Sequence, residues 1–203
     1  MSIRFQYNKT SLQQQVKQLR IRVRALPTLK SKESALRVEV KKTKDLSDHI
    51  EEELTKQLKA YDEMLALWSE FDTSLLQVRD VHMSSKKIAG VLIPILEKID
   101  FEIKPFSLTF YPHWYMEGMS LMKSLAELGI EAEFTNMKLQ LLEYARKKTT
   151  QKVNLFEKVQ IPGYEDAIRK IKRYLEDEES LSKAAQKIMR EHIEQNEKEV
   201  AAL

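Results

Sequence analysis

The sequence predicts a mainly α protein, a long antiparallel two-helix coiled-coil hairpin with a small middle segment that carries a short β-hairpin and a short helix. Three observations lead there. Two long stretches place apolar residues at helical spacing, the segment between them has different chemistry, and the composition suits elongated helices. Of 203 residues only 4 are glycine and 5 proline, while 42% are hydrophobic and 32% charged. Such a chain can bury a stripe along a helix more readily than fill a compact core.

The first helix is expected from about Thr10 to Arg79. Asn8, Thr10 and Ser11 all qualify as N-caps ahead of the repeat. Leu12, Val16, Leu19, Val23 and Leu26 then follow a 4-3-4-3 spacing, which lines one seam of a helix. The seam resumes at Leu36, Val40, Ile50, Leu54, Leu58, Leu65, Trp68 and Leu75, with Thr43 and Ser47 as polar positions that loosen it. Seventy helical residues would reach roughly 100 Å, so a partner is needed along the length.

That partner is expected in the last third, from about Phe134 to Glu194, where Leu139, Leu142, Thr149, Val153, Phe156, Ile168, Ile171, Leu175, Leu181, Ala185 and Ile188 recur at helical spacing. Within one chain the two stripes meet only if the chain turns back. The middle segment holds Pro94, Pro105 and Pro112 and alternates at Ile99, Phe101 and Ile103. Its stretch IDFEIKPFSLTFY reads as two short strands joined near Lys104 and Pro105. Met116 to Leu128 reads as a short helix stopped by Gly129. The expected division is therefore 1–83, 84–130 and 131–203.

Little here supports catalysis. No glycine-rich phosphate loop or dinucleotide fingerprint is present, so no nucleotide or other cofactor is expected. His49, His82, His113 and His192 lack metal-ligand spacing, so neither metal nor catalytic residues are assigned. There is no cysteine, which suits a reducing cytosol. The longest apolar run, about Ala89 to Leu96, is too short to span a bilayer.

Charge is unevenly placed. Residues 1–44 hold twelve basic and two acidic groups, residues 45–80 three basic and ten acidic, around a net charge of only +3. Arg20, Arg22, Arg24, Lys30 and Lys32 are matched by Arg169, Lys170 and Arg173 on the returning helix. These are either ordinary solvated flanks or a positive collar that meets an acidic ring. Pro27 and Pro162 interrupt the two helical patterns, either as plain breaks or as a shared bend. Tyr111, Trp114, Tyr115, Met116, Met119 and Met122 form an apolar face that must be covered, by the chain itself or by a partner.

The stretch TTQKVNLFEKVQIPGYEDAIRKIKRYLEDEE resembles the signature of the D subunit of V/A-type ATPases, with Val153, Asn154, Glu157, Ile161, Pro162, Ile168, Leu175 and Glu176 at the matching positions. The opening NKTSLQQQVKQLRIRVRALPTLKSKESAL and the middle IAGVLIP also look like that family. Gln151, Lys152, Phe156, Pro27 and Ser180 depart from its pattern and imply a divergent, bacterial branch. The resemblance implies a non-catalytic central-stalk rotor shaft of an ion-translocating ATPase, cytoplasmic and peripheral to the membrane. It implies contacts with the catalytic head subunits A and B, the F subunit of the stalk and the membrane-side C subunit, and no binding of nucleic acid. The alternatives are an unrelated coiled-coil scaffold and a nucleic-acid-binding helical arm.

Overall fold

A computed structural model describes residues 3–61, 70–105 and 111–201. In order they form helix α1 (Lys9–Ala60), a 3-10 turn (Thr73–Leu75), strands β1 (Leu76–Ile88) and β2 (Val91–Ile103), helix α2 (Tyr115–Asn154), a π-helical turn (Leu155–Gln160) and helix α3 (Ile161–Ala201). The mainly helical class with a middle β-hairpin is as the sequence predicts. The chain divides into two compact units, Met1–Lys30 with Gln151–Leu203, and Ser31–Thr150.

In the Ser31–Thr150 unit, α1 and α2 run antiparallel, since contacts that advance along one helix retreat along the other. Thr150 donates to Glu33 at 3.2 Å, Lys138 pairs with Glu39 at 3.8 Å and Ser47 donates to Asn136 at 2.8 Å. The α1 seam is Leu36, Val40, Thr43, Ser47 and Ile50, all buried and again spaced 4-3-4-3. Thr43 and Ser47 thus complete the seam rather than loosen it. On α2, Ala132, Thr135, Leu142 and Thr149 keep the same seven-residue period.

Several boundaries differ from expectation. Helix α1 ends at Ala60, and Leu76–Arg79 are strand rather than the end of a helix. Leu65 and Trp68 lie outside the described residues. The hairpin is also placed differently: β1 pairs antiparallel with β2, Ile88 opposite Val91, so the chain reverses at Ala89–Gly90 and not at Lys104–Pro105. Residues 106–110 of the expected second strand lie outside the described residues. Ala89 and Gly90 have φ of 47° and 79°, and a two-residue reversal with both φ positive matches the right-handed twist of strands. Alanine rarely takes that conformation, which is why this turn carried no obvious signal.

The hairpin tip packs onto the helices. Ile93 is buried with Leu36, Val40 and Leu142, and Ile88, Ala89 and Val91 pack around them. At the opposite end of the hairpin, Phe71, Leu75, Tyr115 and Met119 form a second cluster with Tyr111, Trp114 and Met122. The Tyr115 hydroxyl donates to the Glu70 carbonyl at 2.6 Å, which satisfies its polar end. The aromatic and methionine face is thus largely covered by its own chain, with Met116 left exposed. Gly129 does not stop a helix. It lies inside α2, has no positive φ, and is followed by the buried Ala132 and Thr135.

Candidate functional site

In the unit of Met1–Lys30 and Gln151–Leu203, Asn8 caps α1 by accepting from the Ser11 amide at 2.6 Å. The two helices again run antiparallel: Tyr7 packs against Tyr174 with ring centroids 4.9 Å apart and the rings tilted by 43°, Arg22 reaches Gln160, and Lys30 reaches Glu157. The buried α1 positions here include the polar Ser11 and Gln15, while Val23 and Ile21 are about half exposed. The expected seam of Leu12, Val16, Leu19, Val23 and Leu26 is therefore only partly buried.

Arg22 is the most engaged cation of the basic set. Its Nε donates to Gln160 Oε1 at 2.6 Å, and one terminal nitrogen donates to the Gln18 side chain at 2.6 Å and the Gln18 carbonyl at 3.0 Å. Its guanidinium carbon lies 4.6 Å from the Tyr164 ring centroid and 5.9 Å from that of Phe156. The planar fork suits this double duty of stacking and hydrogen bonding.

Of its partners, Gln160, Phe156 and Tyr164 sit on or beside the π turn, whose origin is local. Pro162 has no N–H to return to Lys158, and in an α-helix its ring would collide with that carbonyl. The turn widens instead, and the Ile161 amide bonds to the carbonyl of Phe156, five residues back. Pro162 therefore marks a widened turn, while Pro27 is accommodated inside α1. Lys30 and Arg22 lie on either side of Pro27, and both are tied to the widened turn.

Of the other sequence-identified residues, Arg169 and Lys170 share Asp166 at 2.8 and 2.9 Å, contacts that hold its carboxyl below the ordinary 3.8 and raise the Lys170 ammonium. Arg20 and Arg24 join Lys17 and Lys172 around an apolar groove of about 1030 Å³, floored by Leu12, Val16, Ile21, Ala25 and Leu29. Arg173 and Arg169 border a smaller groove with Leu19, Ile168, Glu165 and Glu176. Lys32 belongs to the other unit, where its ammonium approaches Gly90 of the hairpin turn. Of the motif residues, Val153 is buried, Glu157 holds Lys30, and Ile168 and Leu175 are half-buried. Asn154 caps nothing with its side chain.

Gln160, Tyr164 and Gln18, which hold Arg22, escaped sequence reading. A signal existed for two of them: Pro162, which has no N–H to return to Lys158, marks the turn that Gln160 and Tyr164 flank. The arrangement binds and braces, and nothing in it assembles a nucleophile and base. Among the described residues, no group of three or more His, Asp or Glu could hold a metal ion. Among the same residues, no helix is long and apolar enough to cross a membrane.

The chain is 32% identical to the D subunit of the V-type ATP synthase of Borreliella burgdorferi, over 91% of this chain and 93% of that protein. It is 27% identical to the proteins of the same name from Chlamydia trachomatis serovar L2, over 97% and 99% of the two chains, and from Chlamydia pneumoniae, over 96% and 95%. A sequence profile that describes the D subunit of ATP synthase matches residues 11–191, and the chain belongs to that family.

Proposed function

We propose that this chain is the non-catalytic central-stalk subunit of a V/A-type ion-translocating ATPase and transmits torque between the nucleotide-binding head and the membrane ring. The observation that carries this reading is the antiparallel pairing of first and last thirds, within a chain that matches the D-subunit family over residues 11–191. A bonded and braced helix pair resists twisting better than a single helix. Presenting different faces in succession, it would favour different states of successive nucleotide sites.

In this reading the segments 1–83 and 131–203 form the shaft and 84–130 the membrane-side portion. The partners are head subunits A and B, the F subunit of the stalk and the membrane-side C subunit, with the protein cytoplasmic and held at the membrane through the complex. The head contact is assigned to Arg20, Arg22, Arg24, Lys30, Lys32, Arg169, Lys170 and Arg173. Among these, Arg20 and Arg24 border the apolar groove, so they meet a carboxylate-bearing partner most directly.

The test is reconstitution with the head and stalk subunits of the same source. One copy per assembly is expected, and truncation after Arg173 should uncouple hydrolysis from ion movement or weaken assembly. Failure to copurify with any head subunit would refute the assignment and favour a scaffold. Salt-sensitive retention on RNA or DNA in its place would favour a nucleic-acid arm.

A further inference from the structure

The residues ahead of α1 belong to the helix pair as well. Burial alternates along them: Ile3 and Phe5 are half-buried, while Arg4 and Gln6 are exposed. At one end Ile3 lies so close to Gly163 that a Cβ built there would meet its Cδ1 at 3.0 Å and its Cγ1 at 3.5 Å. At the other end Tyr7 packs on Tyr174, and the Phe5 ring stands edge-on to Tyr7 with centroids 5.4 Å apart. Gly163 and Tyr174 are about 16 Å apart along a helix, and four residues of chain reach at most about 14 Å, so residues 3–7 are stretched out along α3 with side chains spanning the rest. They run in the direction opposite to α1, and hydrogen bonds fix the reversal. The Gln6 amide donates to Ser11 Oγ at 3.2 Å, the Asn8 amide to the Gln6 carbonyl at 3.0 Å, and the Ser11 amide to the Asn8 side chain at 2.6 Å. These bonds satisfy Ser11, which is buried. Lys170, whose ammonium is raised first by Asp166 and less by Tyr7, lies beside the same segment.

We propose that residues 3–7 are a displaceable clasp, which occupies the face of α3 between Gly163 and Tyr174 and lifts from it by pivoting at the bonded turn before α1. Its seat is Gly163, where the missing side chain lets Ile3 approach the helix. Its contacts with α3 at both ends are apolar or aromatic, and contacts of that kind let a segment leave without breaking a ladder of hydrogen bonds. With the clasp shut, the start of α1 is held on α3 and that face is filled by the chain itself. A partner reaches the face only by displacing the clasp. The clasp concerns the chain alone and does not depend on the partners assigned above.

Arg4 lies in the middle of the segment and is exposed, which supplies the assay. Trypsin cuts after an arginine only when the flanking residues are free to enter its active site, so the rate of cleavage after Arg4 in the full-length chain reports the open clasp. That rate should be at least tenfold lower than in a peptide of residues 1–12. Gly163→Leu, which fills the seat while favouring the helix, should raise it at least fivefold without loss of the helical circular dichroism. In an Ile3→Ala background, where the side chain that meets position 163 is gone, Gly163→Leu should add less than twofold. Tyr174→Ala removes the other end of the seat from a half-exposed position and should raise the rate at least threefold, which keeps the clasp open to test where Gly163→Leu disturbs folding. Cleavage of the native chain at the peptide's rate would overturn the proposal. So would the absence of any acceleration by Gly163→Leu or Tyr174→Ala, or an equal effect of Gly163→Leu with and without the Ile3 side chain.

Discussion

Replacing Ile93 by alanine tests whether the hairpin is part of the core of the Ser31–Thr150 unit or an appendage to it. Ile93 is 1% exposed and packs with Leu36 and Leu142, each 0% exposed. Truncation removes three carbons, and about 0.8 kcal/mol per buried methylene gives about 2.5 kcal/mol. Incomplete collapse of the void adds about 1 kcal/mol, for a total of about 3.5 kcal/mol. With a urea dependence of about 2 kcal/mol per molar, the unfolding midpoint should fall by about 1.5–2 M. The adjacent Leu92, 64% exposed on the other face of the strand, supplies the control. Leu92→Ala should cost under about 0.5 kcal/mol. Urea titrations followed by circular dichroism and by tryptophan fluorescence measure both, Trp114 lying in the same unit. Leu36→Ala in the Ile93→Ala background should show a coupling of at least about 0.5 kcal/mol. Equal losses for Ile93→Ala and Leu92→Ala, or no coupling to Leu36, would mean that the tip does not hold the helices together.

Thr43 is 1% exposed and its hydroxyl has no partner, so Thr43→Val should stabilise the protein by about 1 kcal/mol, read as a rise in melting temperature of about 2–4 °C. Gly129 has nothing within 4 Å of an added Cβ, so Gly129→Ala should raise stability by about 0.5–1 kcal/mol through helix propensity. At Gly118 the same Cβ would meet the Trp114 ring at 3.0 and 3.2 Å, so Gly118→Ala should lose stability in the same denaturation assay despite an equal propensity gain. Asp100 is held below the ordinary 3.8 by Lys98 and His82, and Asp166 by Lys170 and Arg169. A depressed carboxylate contributes fully above its unfolded value and loses that contribution as pH falls through the lower folded value. The melting temperature should therefore fall below about pH 4, and Asp100→Asn with Asp166→Asn should flatten that acid limb.

What the sequence disclosed follows from which physical signals are periodic. The paired helices were legible because burial against a helix repeats every three and four residues, and the seam at Leu36, Val40 and Ile50 kept that spacing through Thr43 and Ser47. The hairpin was misplaced because its turn uses Ala89 at positive φ, where asparagine or glycine would have announced it. Leu75 and Arg79 extended the helical pattern by accident, since Leu75 is buried by an aromatic cluster and not by a helix seam. Gly129 looked like a stop because glycine commonly ends helices, but only a left-handed conformation there would have ended this one. The basic residues were legible as a set. Their separate fates, Arg22 in a bonded stack and Arg20 and Arg24 at a groove, depend on a turn width that no composition reveals.

The two units differ in how they hold their helices, and the difference bears on the proposed role. Residues 31–150 use an apolar core of Leu36, Val40, Ile93 and Leu142. Residues 1–30 with 151–203 bury the polar Ser11 and Gln15 beside Val153, Ala167 and Ile171, leave the Gln15 side-chain oxygen without a partner, and expose Ile21, Val23, Leu181, Ile188 and Ile193. A helix pair arranged this way gains less from burial than one with a wholly apolar seam and leans also on directional contacts such as Arg22 to Gln160 and Lys30 to Glu157. Exposed ion pairs contribute little, so Lys30 and Glu157 add register more than stability, and most of the hold falls to the partly buried Arg22. Such a pair would gain from a sheath that covers its exposed apolar side chains, which insertion of both terminal helices into a head ring would supply under the proposed role. Under the proposed role the unit would be completed by what surrounds it, its own contacts holding the two helices in register and a partner adding burial.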